Sequence, residues 1–252
     1  MRGSGLSSFE RRVAVAPSPG VFAPAELDGL PDPVRRYFGA AVGPGTPLAQ
    51  AARLRMRGRI RIGRWLPFTA RQVLAPRTGF VWAARAGGII IGYDRYVDGA
   101  GESDWRLAGL VPVAHADGPD VSRSAAGRAA AEAVWLPTTL LPRFGTRWSA
   151  EADDRISAEY GVGELRVQVH YRIDPAGRAV SVRFERWGDP DGTGEWGLHP
   201  FGGEFTAHAN FGGLTIPSRG GLGWFHGTDR WTEGGSFRYR ITRFDVVGSP
   251  AS

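Results

Sequence analysis

One stretch of alternating residues constrains the fold of this chain more than any other feature. In "RLRMRGRIRI", which runs from Arg53 to Ile62, arginine occupies every second position. Successive side chains of a β-strand point to opposite faces of its sheet, so this period of two predicts a long strand with one charged and one apolar face. We expect Leu54, Met56, Ile60 and Ile62 to face the protein interior and the arginines to face solvent.

The same alternation recurs along the chain and predicts a mainly β protein. Arg166 and Arg172 alternate with apolar residues in "GELRVQVHYRID", as do Arg238 and Arg240 in "SFRYRITRFDVV". Short links join the strand-like segments, which favours antiparallel neighbours, and "DPAG" between two of them is typical of a hairpin turn. The sequence therefore predicts a single long curved antiparallel sheet, a half-barrel or barrel of about eleven strands.

Two helices are predicted besides these strands. A short N-terminal helix in "LPDPVRRYFGAAVG" has Asp32 as its expected cap. An alanine-rich helix is expected from about Val121 to Trp135, with Asp120 or Ser122 as its cap. Because this second helix is inserted mid-chain between two groups of strands, we expect it to lie against the concave side of the sheet.

The chain is expected to form one domain. We expect residues 1–29 to be a flexible N-terminus, residues 30–248 to form a single β half-barrel or barrel domain, and residues 249–252 to be a C-terminal tail. The apolar run "VAVA" near the start is too short for a signal peptide. No apolar run approaches the roughly 18 residues that span a bilayer. These patterns predict a protein without a transmembrane segment, located in the cytoplasm.

The amino-acid composition excludes several kinds of chemistry. The chain contains no cysteine, which excludes thiol nucleophiles, disulfides and cysteine-ligated metals. It also contains no lysine, which excludes Schiff-base catalysis and a P-loop lysine. The glycine-rich stretches lead into strands rather than from a strand into a helix, which disfavours a nucleotide cofactor. We therefore expect no cofactor.

The histidines do not form a recognisable metal motif. Glu204 and His208 lie on one face of a predicted strand, but four residues of strand span roughly 13 Å, too far to chelate one ion. We expect no metal, although a site assembled from distant segments stays an alternative.

Aromatic residues are numerous enough to predict a ligand-binding interior. The chain contains 9 Trp, 13 Phe and 6 Tyr. A curved sheet of this length either fills with side chains or encloses a ligand cavity, and an ordinary core is the competing interpretation for each ring. The residues that we expect to line a ligand cavity are Trp82, Tyr93, Tyr96, Trp105, Trp135, Trp196, Phe205 and Trp224.

Three polar residues are candidates for a catalytic role in such a cavity. They are Asp94 in "GYDRY", Glu132 on the alanine-rich helix, and His208 in "GEFTAHANF". A carboxyl group or an imidazole that points into an apolar cavity can act as a general acid or base. The competing interpretation pairs Asp94 with Arg95 or another arginine, and places Glu132 on the surface beside Arg128.

Seven spaced stretches also carry a family resemblance. They are "LPDPVRRYF", "MRGRIRIGRWLPFTARQ", "FVWAA", "GYDRYVDGAGE", "WRLAGLVPV", "AEAVWLPTTLLP" and "GGLTIPS". From about Leu30 to Phe244 the chain resembles an uncharacterised bacterial family, a domain of unknown function, and this resemblance implies no activity. The strand–helix–strand order is more loosely similar to the half-barrel of lipoprotein carriers of the LolA/LolB kind. The chain differs from those carriers in showing no export signal and no lipid-attachment cysteine.

Three functions follow from these patterns, in decreasing order of support. The first is binding of a lipophilic small molecule or lipid-like metabolite in an aromatic-lined cavity, with arginines at the mouth for an acidic head group. The second is a cofactor-free cyclase, isomerase or lyase that holds a reactive conformer of a hydrophobic metabolite and transfers a proton.

The third function is arginine-mediated binding of an anion or nucleic acid. A net charge of +6 favours it, but the arginines follow the outer face of the sheet and 25 acidic residues accompany them. Nucleic acid is therefore a less expected partner than a lipophilic small molecule. The sequence makes no prediction of the oligomeric state.

Overall fold

Thirteen antiparallel strands form one sheet in the computed structural model, which describes residues 3–232 and 234–248. From β1 to β13, the strand bounds are Ala52–Ile62, Arg64–Ala75, Gly79–Ala86, Ile90–Val97, Ala100–Leu107, Val111–Asp117, Arg147–Ala152, Arg155–Val162, Leu165–Ile173, Ala179–Gly188, Gly197–Phe211, Leu214–Trp224 and Phe237–Val246. Neighbours in the sheet follow the order β6-β5-β4-β3-β2-β1-β13-β12-β11-β10-β9-β8-β7. Every neighbouring pair except β1 and β13 is consecutive in the chain, so the predicted antiparallel meander is confirmed.

The sheet is open, with β6 and β7 as its two edges among the described residues. It is therefore a half-barrel rather than a closed barrel. The structure has more strands than the expected eleven or so, partly because a turn at residues 108–110 divides the segment "SDWRLAGLVPV" into β5 and β6. Strand β11 is the longest of the described strands and includes His199.

Strand β1 has the two faces that its sequence predicts. Leu54 and Met56 are 1% and 2% exposed, and the arginines of the strand are exposed. Ile62 differs from the prediction, because at the end of the strand it is 42% exposed. β1 lies in the middle of the sheet, paired with β13 on one side and β2 on the other. The alternation thus separates the apolar concave face from the charged convex face.

Helix α3 (Pro119–Ala131) joins the two groups of strands across the concave side. It contacts strands β3 to β6 at one side and β8 to β10 at the other. The helix continues as a 3-10 helix, Glu132–Trp135, so the α-helix ends four residues before the predicted end. Two further 3-10 helices, Pro137–Leu140 and Pro142–Phe144, lead into β7.

The predicted helix caps are wrong. Helix α2 (Asp32–Ala41) has Pro31 at its N-cap position, and Asp32 instead pairs with Arg35 one turn later. Helix α3 has Gly118 at its N-cap position, without a side-chain cap. Ser122 lies within the helix, where its hydroxyl donates to the Gly118 carbonyl, which accounts for its polarity without a capping role.

Residues 3–29 lie against the convex face and one end of the sheet. They carry helix α1 (Gly3–Val13) and a 3-10 helix, Pro24–Leu27. Val13 is buried with Val73, Val81 and Val97. Flexibility of this segment stays a prediction, and the expected tail at residues 249–252 lies outside the described residues. None of the described helices is long and apolar enough to cross a bilayer, and the cytoplasmic location stays a prediction.

Candidate functional site

A cavity of about 430 Å³ opens between helix α3 and the concave face of the sheet. This volume lies within the roughly 300–1,000 Å³ typical of small-molecule pockets. Aromatic side chains from both halves of the sheet form much of its wall, among them Trp82, Trp105, Trp135, Phe201, Phe205 and Trp224. A cavity of this size and lining can hold a mainly apolar molecule.

Two glycines let large rings fold over the sheet at this cavity. A Cβ atom at Gly92 would overlap the ring of Trp105, its partner on the neighbouring strand. A Cβ atom at Gly188 would overlap the ring of Trp224 in the same way. The absence of a side chain at these two positions therefore determines where the two tryptophans stand.

The α3 wall of the cavity carries a buried ionic network. The Arg128 guanidinium donates hydrogen bonds to Asp94 and to Glu132, and each bond is 2.8 Å long. Burial acts to lower the pKa of Arg128, but the attraction of Glu132 and Asp94 raises it above its usual value. One arginine of α3 thus pairs with two carboxylates, one from the 3-10 helix after α3 and one from β4.

Neutral donors complete this network. Asp94 accepts hydrogen bonds from the Ser103 hydroxyl at 2.7 Å and from the Trp105 indole at 3.1 Å. Glu132 accepts a hydrogen bond from the Gln72 side-chain amide. The two carboxylates are therefore held in fixed positions beside the cavity.

The β10 wall carries a second arginine with different surroundings. Arg186 lines the cavity and packs against aromatic rings, with its guanidinium carbon 4.7 Å from the Phe201 ring centre and 5.0 Å from that of Trp224. Burial lowers the pKa of Arg186 to about 10, and the charge of Arg128 acts in the same direction. The guanidinium is still charged at neutral pH.

Three polar atoms along the wall are buried without a hydrogen-bond partner among the described residues. They are Oε1 of Gln72, Nε1 of Trp82 and Nε of Arg186. Leaving such an atom unpaired costs about 1–3 kcal/mol. Each of them therefore favours a ligand that supplies the missing partner.

The structure brings seven of the sequence-predicted site residues together around this cavity. They are Asp94, Glu132, Trp82, Trp105, Trp135, Phe205 and Trp224. They come from the 3-10 helix after α3 and from strands on both sides of β1, so only the tertiary structure makes them neighbours. Glu132 is buried beside Arg128 instead of lying on the surface.

Four predicted site residues lie elsewhere. Tyr93 points to the convex face, where its hydroxyl donates to Glu102 at 2.6 Å. Tyr96 is buried in the main core and does not line the cavity. Trp196 is 36% exposed in the link between β10 and β11.

His208 is the fourth, and it lies on an irregular strand, three residues after the cavity-lining Phe205. The pairing of β11 with β12 shifts register twice around Ala207. The His208 ring then hydrogen-bonds the Ala179 carbonyl at 2.9 Å, away from the cavity. Burial lowers the pKa of His208.

Sequence reasoning missed Arg186 and Gln72 as cavity residues, although a signal for both exists. Val182, Phe184 and Arg186 share one face of β10, so an arginine interrupts an otherwise apolar face. Gln72 occupies the same kind of position on β2 before Leu74. A polar residue at an apolar position of a strand is thus the pattern that marks this cavity.

The convex face carries most of the arginines seen in the sequence. Arg57 lies opposite Arg240 of β13, and Arg55 lies between Arg71 and Arg243 on its two neighbouring strands. Arginines directly opposite each other destabilise a sheet slightly, unless solvent or an anion screens them. These positions agree with the predicted solvated outer face.

Another cluster on the convex side brings Glu102, Asp104 and His115 within 4.8 Å of one another. Arg95 pairs with Glu102, and Arg106 pairs with Asp104 at 2.9 Å. Because arginines already neutralise both carboxylates, we assign no metal to this cluster.

Comparisons with known proteins concern family and fold. A family model described as "Family of unknown function (DUF6544)" matches residues 20–234. No curated protein matches the chain significantly. Among solved structures, the chain is similar to a putative outer membrane lipoprotein-sorting protein domain from Vibrio parahaemolyticus, with 9% identity, 80% of this chain and 87% of that chain covered, and a TM-score of 0.39.

A LolA superfamily protein from Nitrosomonas europaea is similar over the same shares of the two chains, 80% and 87%, with 9% identity and a TM-score of 0.41. The resemblance to an uncharacterised family that was stated from the sequence is confirmed. We draw nothing about function from either solved structure.

Proposed function

Because the chain belongs to a family of unknown function, DUF6544, we propose its function from its own geometry: it binds a lipophilic small molecule in the cavity between α3 and the sheet. The observation that carries the proposal is an aromatic-walled cavity of about 430 Å³ that opens to the surface. Apolar surface removed from water contributes about 25 cal/mol per Å². Contact between a ligand and these rings is therefore the main source of affinity.

The shape of the fold supports a preformed site. Strands on both sides of β1 supply the rings, and α3 closes the concave side against β5 and β10. The ionic network of Arg128 ties α3 to β4 through Asp94. A ligand therefore enters a site whose walls are already held together, so little ordering of the protein opposes binding.

A neutral fluorescent probe tests this proposal. N-phenylnaphthylamine fluoresces strongly in apolar surroundings, and we expect its emission to rise with the protein and to saturate at one site. Leu222→Trp places a large ring in the cavity wall and should weaken binding about tenfold or more. Leu198→Trp, at a position 54% exposed outside this cavity, is the matched control and should bind as the wild type does.

Two outcomes contradict the proposal. One is an absence of saturable binding by the folded wild-type protein. The other is equal binding by the wild type and Leu222→Trp, since this would place the probe outside the cavity.

A second candidate function is a cofactor-free enzyme, such as a cyclase, isomerase or lyase acting on a hydrophobic metabolite. The favouring observation is that Asp94 and Glu132 both line the cavity beside the rings. Against it stands Arg128, which holds both carboxylates in hydrogen bonds. Conversion of a metabolite by the wild type but not by Glu132→Gln, with probe binding retained, would favour the enzyme over the carrier.

Arginine-mediated binding of an anion or nucleic acid is the weakest candidate. The rows of arginine on β1 and β13 favour it. The test is a mobility shift with DNA or RNA at physiological ionic strength, because contacts to phosphates weaken steeply with salt. A shift that persists in 0.15 M salt and is lost on replacing Arg55 and Arg57 would favour this candidate.

A further inference from the structure

We propose that the ligand is a lipophilic acid with a single carboxylate-type group, and that this group pairs with Arg186 while the apolar part lies along the rings. The inference rests on the proposed binding function and specifies the chemical class of ligand. It also assigns a binding role to Arg186, on the β10 wall.

The two cavity arginines differ in what already neutralises them. Arg128 pairs with Asp94 and Glu132, each at 2.8 Å. No carboxylate of the described residues lies within 4.0 Å of the Arg186 guanidinium, although Asp94 and Glu132 act on it from farther away. Arg186 is therefore the cavity cation that is available to an incoming acid.

The surroundings of Arg186 fix it in an orientation suited to recognition. Its guanidinium packs near the rings of Phe201 and Trp224, and Gly188 provides the space for the Trp224 ring. Ring faces stabilise the charge but offer no hydrogen-bond acceptor in the guanidinium plane. The Nε atom is buried without a hydrogen-bond partner among the described residues, and the side chain lines the cavity, so the guanidinium can pair with a ligand carboxylate there.

A charged ligand group fits Arg186 better than a neutral one. Burial of an unpaired cation costs free energy, and the lowered pKa of Arg186 reflects that cost. A hydroxyl or ester supplies one acceptor, whereas a carboxylate supplies two and removes the unpaired charge. The apolar remainder of the wall excludes small hydrophilic anions as good ligands, because they would leave the rings uncovered.

The balance of charge in the cavity predicts how binding responds to salt. Arg128 and Arg186 balance Asp94 and Glu132, so the cavity carries no large net charge. The acid is thus held by contact with Arg186 and not by a long-range field. Binding should change little with ionic strength, unlike adsorption to the arginines of the convex face.

Displacement of N-phenylnaphthylamine from the cavity tests the inference, with dodecanoic acid and dodecanol as competitors of equal chain length. At neutral pH we expect dodecanoic acid to compete at least about tenfold better than dodecanol against the wild type. Arg186→Met should lose about tenfold in affinity for the acid and change little for the alcohol. Arg183→Met, on the convex side of the same strand, is the matched control and should keep both affinities.

Each outcome of this experiment has a distinct meaning. Equal competition by acid and alcohol against the wild type overturns the role of Arg186 and leaves the proposed function standing. A failure of the neutral probe and of both competitors to bind overturns the proposed function itself. Equal losses in Arg183→Met and Arg186→Met, or a steep decrease in acid binding with salt, would assign the acid to surface arginines and also contradict the inference.

Discussion

The two walls of the cavity each hold one arginine, and the two are stabilised in opposite ways. On the α3 wall, Arg128 neutralises Asp94 and Glu132 in a network that ties the helix to β4. On the β10 wall, Arg186 lies against two aromatic rings, and no carboxylate of the described residues is within 4.0 Å of it. The first arrangement supports the fold, and the second leaves a cation available for a ligand.

The residues around each arginine, and not the residue type itself, determine its role in this protein. All 31 basic residues are arginine. Those of β1 lie on the solvated convex face and contribute little beyond solubility. Arg128 and Arg186 instead lie on the concave side beside aromatic rings. Electrostatic interactions are stronger there because the dielectric constant is low.

Removal of Arg128 should give the largest effect. Arg128→Met leaves Asp94 and Glu132 buried without their cation, with side chains only 27% and 10% exposed. We expect the free energy of unfolding to decrease by about 3 kcal/mol, measured by urea denaturation. Arg57→Met on the convex face is the control and should stay within about 0.5 kcal/mol. Equal effects of the two substitutions would show that the α3 network does not stabilise the fold.

A methyl group at Gly188 should disturb the β10 wall alone. Gly188→Ala forces the Trp224 ring to move, because a Cβ atom would overlap it. We expect a loss of about 1 kcal/mol in stability, since Trp224 is partly exposed and can shift. Gly39→Ala, on the exposed face of helix α2, is the control. It should stabilise the protein slightly, because alanine favours the helix. An unchanged Trp224 environment in Gly188→Ala, seen by quenching of tryptophan fluorescence, would contradict this account.

Removal of Arg186 should not destabilise the protein. Arg186→Met replaces a buried cation that lacks a carboxylate by an apolar side chain of similar length. The free energy of unfolding should stay the same or rise by about 1 kcal/mol, opposite to the result for Arg128→Met. A clear decrease would show that the rings and the distant carboxylates already stabilise Arg186 fully, which would weaken its assignment to a ligand.

Lowering the pH should reduce the free energy of unfolding through His208, which lies outside both walls of the cavity. Burial lowers the pKa of His208 below its usual value of about 6.5, with Arg178 adding to this effect and Asp174 opposing it. Because the unfolded chain binds a proton at higher pH, stability contributed by neutral His208 is present above about pH 6.5 and is lost as pH falls. His208→Gln keeps a donor for the Ala179 carbonyl and should reduce this loss in urea titrations. Probe binding should be the same in both proteins, since His208 does not line the cavity.

Alternation in the sequence carried most of the fold prediction. It identified the two faces of β1 because every second side chain of a strand shares an environment. It underestimated the number of strands, since the turn at residues 108–110 lies inside an apolar segment that reads as one strand. The helix caps were missed because Gly118 and Pro31 start the helices without a capping side chain.

The composition of the candidate site was partly predictable and its geometry was not. Asp94 and Glu132 could be proposed from their aromatic neighbours in the sequence. Their shared partner Arg128 depended on α3 crossing the sheet above β4. Strand alternation places His208 on the face opposite to Phe205, and only the structure shows that the face of Phe205 is the one that lines the cavity.

Strand periodicity is a local property of the backbone, so the alternation of residues was enough to predict an antiparallel sheet with an apolar face and an arginine-rich face. Which polar residues meet inside the curved sheet depends on tertiary contacts, which the alternation does not reveal. Arg186 and Arg128 are 58 residues apart in number, and the curvature of the sheet and the path of α3 bring both to one cavity. Whether each arginine finds a carboxylate depends on those long-range contacts, and this decides whether it supports the fold or is left for a ligand.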